Sequence, residues 1–386
     1  MKKKVLFVVD IPDWAFHHMI KEVMGKFNDE YDFYWDFSSL FLKGRTAYKV
    51  NTAKALLYNA INFTKYLVSK TNLFKNINVV HFLSLKRNRI SSCISDRANN
   101  FWFENRFYNR KILSYNKSYD IIFHMDYYYQ YSCSKLPHQV KDNNFIVGIY
   151  TEGFPHNGTN YDYNLEKDIK NITQKDFFEQ YINTYKALVV GSGNLQQQYA
   201  SYNIPTYLCN AVYRESDFFV SNDKKFFDDY LIIGWTGNPA REFKGFDTII
   251  KPAIEKVKST GRKVVLKTKF SGTYDELIKF YDDIALCLIA SNADTGPSLF
   301  VEASLSGIPC ISTKVGFPDM VIENNKNGFI VERDIDAFFE KICFCYDNRD
   351  ALYEFSKRIK NDYLRILGND VLIHNWRNVI ETTTSL

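Results

Sequence analysis

Between Tyr281 and Glu332 the chain reads YDDIALCLIASNADTGPSLFVEASLSGIPCISTKVGFPDMVIENNKNGFIVE, an alternation that few architectures accommodate. Ile284 to Ala290 is an apolar run too short for a helix and bounded by polar residues, which predicts a buried strand. Ser291 to Pro297 gathers Asn, Asp, Thr, Gly and Pro, the residues of loops. Ser298 can cap a helix running to about Ser306, with Gly307 as its stop and Pro309 just beyond. Ile308 to Ser312 then reads as the next strand. Strand, helix and strand in so short a span make a βαβ unit and commit this part of the chain to an α/β sheet. In such sheets ligands settle at the carboxyl ends of strands, where the Ser291 to Pro297 loop lies.

That loop carries its own chemistry. Asp294 lies in it and Glu302 stands eight residues on, inside the helix. Ionised carboxylates accept hydrogen bonds only, which suits the hydroxyls of a ribose or hexose. Between the two acids, the backbone N–H groups after Pro297, beginning with Ser298 and Leu299, form a helix N-terminus that can seat a diphosphate. Similar parts recur upstream. Tyr230 to Trp235 predicts a strand, followed by Thr236-Gly237-Asn238-Pro239-Ala240-Arg241-Glu242-Phe243-Lys244-Gly245 and a helix through Thr248, Ile249, Ile250 and Ile254. Strand, glycine loop, cations and helix are the components of a phosphate site, here without Walker spacing.

The rest of the chain repeats the alternation. Strands are predicted at Val5 to Val9, Tyr31 to Phe37, Tyr119 to His124, Phe145 to Thr151, Ala187 to Gly191, Tyr207 to Val212, Lys263 to Lys267 and Phe329 to Val331. A helix through His17, His18 and Met24 is expected to stop at Gly25, and another starts at Ser192. The pair His17 and His18 reads as ordinary core or surface. A short helix ends at Phe280, and a final one covers His374 to Ile380. Asp334-Ile335-Asp336 has the form of a metal-binding DxD, but helix capping accounts for it better. Between residues 213 and 228 polar and charged residues break the apolar pattern, which predicts a linker.

The run from Asp294 to Ser312 resembles the acidic-x7-Glu signature of retaining glycosyltransferases with the GT-B fold, the "group 1" or family four set. Val315-Gly316-Phe317-Pro318-Asp319 and Asn327-Gly328-Phe329-Ile330-Val331 are similar to that family's glycine-rich turn and closing strand. Lys244-Gly245, with Arg241, is similar to its diphosphate clamp. Asn210-Ala211-Val212 with Asp217-Phe218 is similar to the segment that closes its first domain. The helix at Trp376 resembles the tail that crosses back onto that domain. Where the family usually has Glu and Gly, this chain has Asp294 and Thr295.

The resemblance implies an α/β, GT-B chain of two Rossmann-like domains with parallel sheets facing across a cleft. Residues 1–215 would bind acceptor, 216–365 would bind the nucleotide sugar, and 366–386 would cross back as a helix. Glu302 would hold the donor ribose, and Asp294 with Gly296 and Pro297 would face the donor sugar and phosphates. Gly237, Asn238, Lys244, Ser298 and Leu299 complete the implied nucleotide site. Asp294, Lys244 and Arg241 form the implied catalytic set, with His124, Glu152 and His156 on the acceptor side. The implied reaction moves a sugar from a nucleotide diphosphate donor to a hydroxyl of a glycan or lipid-linked oligosaccharide, in capsule or lipopolysaccharide type synthesis. Neither a bound cofactor nor a catalytic metal is implied. Two other readings fit the same residues: an epimerase or phosphorylase on this fold, and a non-catalytic GT-B protein that binds a glycan or partner.

Composition bears on compartment and partners. With 46% hydrophobic and 24% charged residues the chain is of the folded, soluble kind. Its 7 cysteines show no paired spacing, so buried free thiols in a reducing, cytoplasmic setting are expected. The net charge of +5 is concentrated: residues 43–117 hold fifteen Lys and Arg against Asp96 and Glu104. Interleaved apolar residues such as Leu56, Phe63, Leu67, Phe101 and Trp102 predict helices with one basic face. Such a face is either solvated or docks on an anionic membrane surface, and the habit of related transferases favours the inner face of the cell membrane. No recognisable nucleic-acid module is present.

Overall fold

The computed structural model describes residues 2–9, 15–37, 118–125, 139–150, 173–219, 223–270 and 274–385. The basic block 43–117 and the candidates Glu152 and His156 lie outside them. The chain forms two compact units, residues 1–148 with 184–186 and 383–386, and residues 149–183 with 187–382.

In the first unit β1 (Lys4–Val9), β2 (Asp32–Phe37), β4 (Ile121–His124) and β6 (Phe145–Ile149) run parallel in the order β2-β1-β4-β6. Phe7 pairs in register with Trp35 on one side and Phe123 on the other. Val5 to Val9 are fully buried, which explains a strand written as an unbroken apolar run rather than an alternating one. The two-residue strands β3 (Ser118–Tyr119) and β5 (Gln139–Val140) pair beside this core.

The helix after β1 runs Ala15–Phe27 and passes straight through Gly25, where the sequence had suggested a stop. A mid-helix glycine costs about 1 kcal/mol. Burying Phe27, one turn on in the row that includes Ile20, Val23 and Met24, contributes about 2 kcal/mol and decides the outcome.

The second unit contains β7 (Ala187–Val190) paired in parallel with β8 (Thr206–Leu208), and a helix Gly193–Tyr199 capped by Ser192 as expected. The strand expected over Tyr207 to Val212 ends at Leu208. Beyond it the Asn210 side chain, rather than a ladder bond, takes the Gly191 carbonyl. Next comes a parallel five-stranded sheet of β9 (Leu231–Thr236), β10 (Val264–Lys269), β11 (Leu286–Ile289), β12 (Cys310–Thr313) and β13 (Phe329–Val331), in the order β10-β9-β11-β12-β13.

Helices cover this sheet in two groups. Lys251–Ser259 packs with Ile335–Asp347, while Ser298–Leu305 and Gly316–Val321 pack with Arg349–Leu367, a helix the sequence reading had not marked. Asp334 caps Ile335–Asp347 through bonds of 2.8 and 3.1 Å from the amides of Asp336 and Ala337, so the DxD look-alike is a capping device. The final helix spans Asn369–Ser385; its Trp376 indole donates to the Asn210 carbonyl at 3.0 Å. Cys209, Cys287, Cys310 and Cys345 are buried free thiols. Among the described residues no helix is long and apolar enough to cross a membrane.

Candidate functional site

Three loops leave the carboxyl ends of β9, β11 and β12, and their own residues bind them to one another. The β9 loop turns back through a 3-10 turn, Glu242–Lys244, that ends on Gly245 with φ 68°. A Cβ at Gly245 would stand 2.6 Å from the Ala290 carbonyl oxygen, so both backbone angle and clearance demand glycine. That contact brings the lysine turn against the start of the β11 loop. The Asn292 amide donates to the Phe243 carbonyl at 3.0 Å. Arg333, just past β13, donates to the carbonyls of Ala290 at 2.8 Å and Glu242 at 3.4 Å. Held this way, the Lys244 ammonium pairs with the Asp294 carboxylate, the two side chains being 21% and 15% exposed.

The β12 loop closes on the far side of Asp294. Gly316 adopts φ 24°, and a Cβ there would stand 2.0 Å from the Thr295 carbonyl oxygen; Phe317 donates its amide to that same oxygen at 3.1 Å. Thr295, where the resemblance would put glycine, donates its hydroxyl to the Tyr150 carbonyl at 3.2 Å. Gly296 packs between the Phe317 ring and the Asn210 amide. The glycine-rich turn of the sequence reading is thus the start of the helix Gly316–Val321, pressed onto the acidic loop.

Ser298 is the first residue of its helix and not the cap, a place taken by Pro297. Its hydroxyl, not needed for capping, lies 3.3 Å from that of Tyr213. The helix Ser298–Leu305 is buried along Leu299 to Leu305, including Glu302, which is only 7% exposed. A carboxylate there needs a donor, and Tyr281 supplies it: its hydroxyl donates to Oε2 at 2.6 Å. Burial pushes the Glu302 carboxyl up to about 7, the Tyr281 hydrogen bond opposing the shift. Burial and the Glu302 charge together raise the Tyr281 phenol well above its usual value, with Thr236 beside it opposing the shift. Glu302 therefore reaches, through one tyrosine, the last residue of β9, at the same sheet end as Lys244 and Asp294.

The remaining candidates separate. Gly237 has φ 145° beside the Trp235 ring, and Asn238 accepts a 3.0 Å bond from the Ala240 amide, so both shape the lysine loop. Arg241 is exposed three residues before Lys244. His124 belongs to the first unit. It is buried, 4% exposed, with Nδ1 2.7 Å from the Tyr185 hydroxyl and its ring beside Phe145. The sequence reading passed over two residues that make these contacts. Tyr281 stands at the start of the motif-bearing stretch without a motif of its own, and Arg333 shows only as a cation following a strand.

Residues 231–348 match the family described as "Glycosyl transferases group 1". No curated protein matches the chain in sequence. Solved structures do match in fold. Sucrose-phosphate synthase of Thermosynechococcus elongatus superposes with a TM-score of 0.59 at 8% identity, over 100% of both chains. TarM of S. aureus gives 0.57 at 12% identity, over 98% of this chain and 99% of TarM. HepE of Anabaena, solved with UDP, gives 0.56 at 11% identity over 100% of both. Residues 231–348 thus match the group 1 glycosyl transferases, and the chain as a whole has the GT-B fold.

Proposed function

We propose that the chain is a retaining glycosyltransferase that moves a hexose or related sugar from a nucleotide diphosphate donor to a hydroxyl of a glycan or lipid-linked oligosaccharide, in surface polysaccharide synthesis. The observation that carries this reading is the cross-binding of the β9, β11 and β12 loops. It sets Lys244 against Asp294 and brings Glu302, through Tyr281, to the same end of one parallel sheet. HepE has also been solved with UDP-glucose, and TarM with UDP and alpha-GlcNAc-glycerol, which supports a nucleotide-sugar donor for this fold.

In this reading Glu302 accepts hydrogen bonds from the ribose hydroxyls. Lys244 meets the diphosphate, with Arg241 at the loop tip and the amides of Ser298 and Leu299 as further donors. As the glycosidic bond breaks, negative charge develops on the leaving diphosphate, and a preorganised lysine stabilises it most there. The acceptor hydroxyl attacks from the same face and the leaving phosphate takes its proton. Asp294 positions the sugar. We assign acceptor handling to Glu152 and His156, with His124 bracing the end of β4 from its buried place. The division at residues 215 and 365 and an anionic-membrane role for residues 43–117 belong to the same proposal. Liposome co-sedimentation tests the latter, and no binding at low salt removes it.

The deciding experiment is a melting-temperature screen with UDP, GDP, ADP and their glucose and N-acetylhexosamine conjugates, followed by transfer assays with the stabilising donor. A ligand bound only by the native state raises the melting temperature by an amount set by its concentration over Kd. One or more nucleotide sugars should raise it, and Glu302→Gln should remove most of the rise. A screen with no shift at millimolar ligand overturns the proposal.

A further inference from the structure

The ion pair between Lys244 and Asp294 sets two residues of the site against each other. The lysine proposed for the diphosphate is neutralised by the carboxylate proposed for the sugar. Both side chains are mostly sheltered, and the loops that carry them are fixed by the Asn292, Arg333 and Gly245 contacts, so neither can swing far. An ammonium has three donors and can meet two partners, but a diphosphate placed against Lys244 brings two or more negative charges into the space Asp294 holds. Asp294 must then yield its hold, and a carboxylate freed there has unsatisfied acceptors facing whatever the diphosphate carries.

We propose that Asp294 and the donor diphosphate exchange places on Lys244, so that the carboxylate becomes free to bind sugar hydroxyls only once the phosphates have arrived. This rests on the glycosyltransferase reading and adds an order of events to it. Its consequence runs against the usual effect of altering a binding-site acid: Asp294→Asn, which keeps the shape and removes the charge, should bind bare nucleotide more tightly while transferring sugar more slowly. A partly exposed ion pair is modest in strength, so the expected gain is about two- to fivefold in Kd.

The test is calorimetric titration of UDP, GDP and ADP into the wild type, Asp294→Asn, Lys244→Ala and the double variant, with melting temperatures checking each fold. Tighter binding of the preferred nucleotide by Asp294→Asn, lost when Lys244 is also alanine, supports the exchange. An equal gain in both backgrounds shows only the removal of a nearby negative charge and overturns it, as does unchanged or weaker binding by Asp294→Asn. Should the wild type bind none of the three, or Lys244→Ala bind as well as wild type, the functional reading falls and the exchange with it. Failure confined to Asp294→Asn leaves that reading standing.

Discussion

His124 and Glu302 are both polar side chains buried near the carboxyl ends of parallel strands, one in each compact unit, and they are held differently. His124 packs between aromatic neighbours and hydrogen-bonds the Tyr185 hydroxyl, a setting that fixes a ring in place. Glu302 is held by a single tyrosine hydroxyl, at the rim of loops stitched around an ion pair. Burial alone therefore does not tell the two settings apart. What separates the two is the company at the strand ends: aromatic packing in the first case, a cation, an acid and glycine-cleared backbone in the second.

Paired substitutions sharpen that contrast. The largest effect is expected at Lys244, where alanine should lower transfer by about 10²- to 10³-fold with little change in melting temperature, since in the proposed reaction the group acts on charge that develops on the leaving diphosphate. His124→Ala should do the reverse, losing about 1–3 kcal/mol of stability through the lost hydrogen bond to Tyr185 and lost packing, with nucleotide affinity intact. If His124→Ala abolished nucleotide binding in a folded protein, the distinction drawn between the two strand ends would be wrong.

A smaller effect concerns pH. Glu302 has its carboxyl raised from 4.5 to about 7, so the folded protein binds that proton more tightly than the unfolded chain. Its contribution to stability is full below about 4.5 and is lost as pH rises through about 7. Ribose hydroxyls donating to the carboxylate favour the ionised form, so nucleotide affinity should strengthen as pH rises across about 7. Glu302→Gln should bind about tenfold more weakly at pH 8, with that dependence flattened. Gln suits this test better than Ala, because deleting a buried side chain that satisfies Tyr281 would unsettle the fold as well.

The smallest effects compare two glycines. Gly25 lies in an exposed helical position with nothing within 4 Å of an added Cβ, so Gly25→Ala should stabilise by about 0.5–1 kcal/mol. Gly245→Ala meets the Ala290 oxygen in a left-handed turn and should destabilise by about 1–3 kcal/mol, weakening nucleotide binding in step because it displaces Lys244. Equal responses at the two positions would remove the claim that Gly245 is what lets the two loops touch.

Residue order alone announced the parallel α/β architecture, since alternation between short apolar runs and capped helices is a local property that each segment carries with it. It also announced Asp294 and Lys244 on strand-end loops, and Glu302 in the helix that follows, as chemically paired types. Glycine at position 245 was readable as a turn but not as the clearance for Ala290, because that neighbour is remote in sequence. Gly25 misled for a related reason: a local stop signal was outweighed by burial of Phe27, which depends on a sheet built from distant strands. Tertiary structure alone decided that Asp294 faces Lys244, that Tyr281 satisfies Glu302, and that Arg333 ties two loops together. Each joins residues separated along the chain, and such pairings follow from how the strands stack, a matter on which periodicity and spacing are silent.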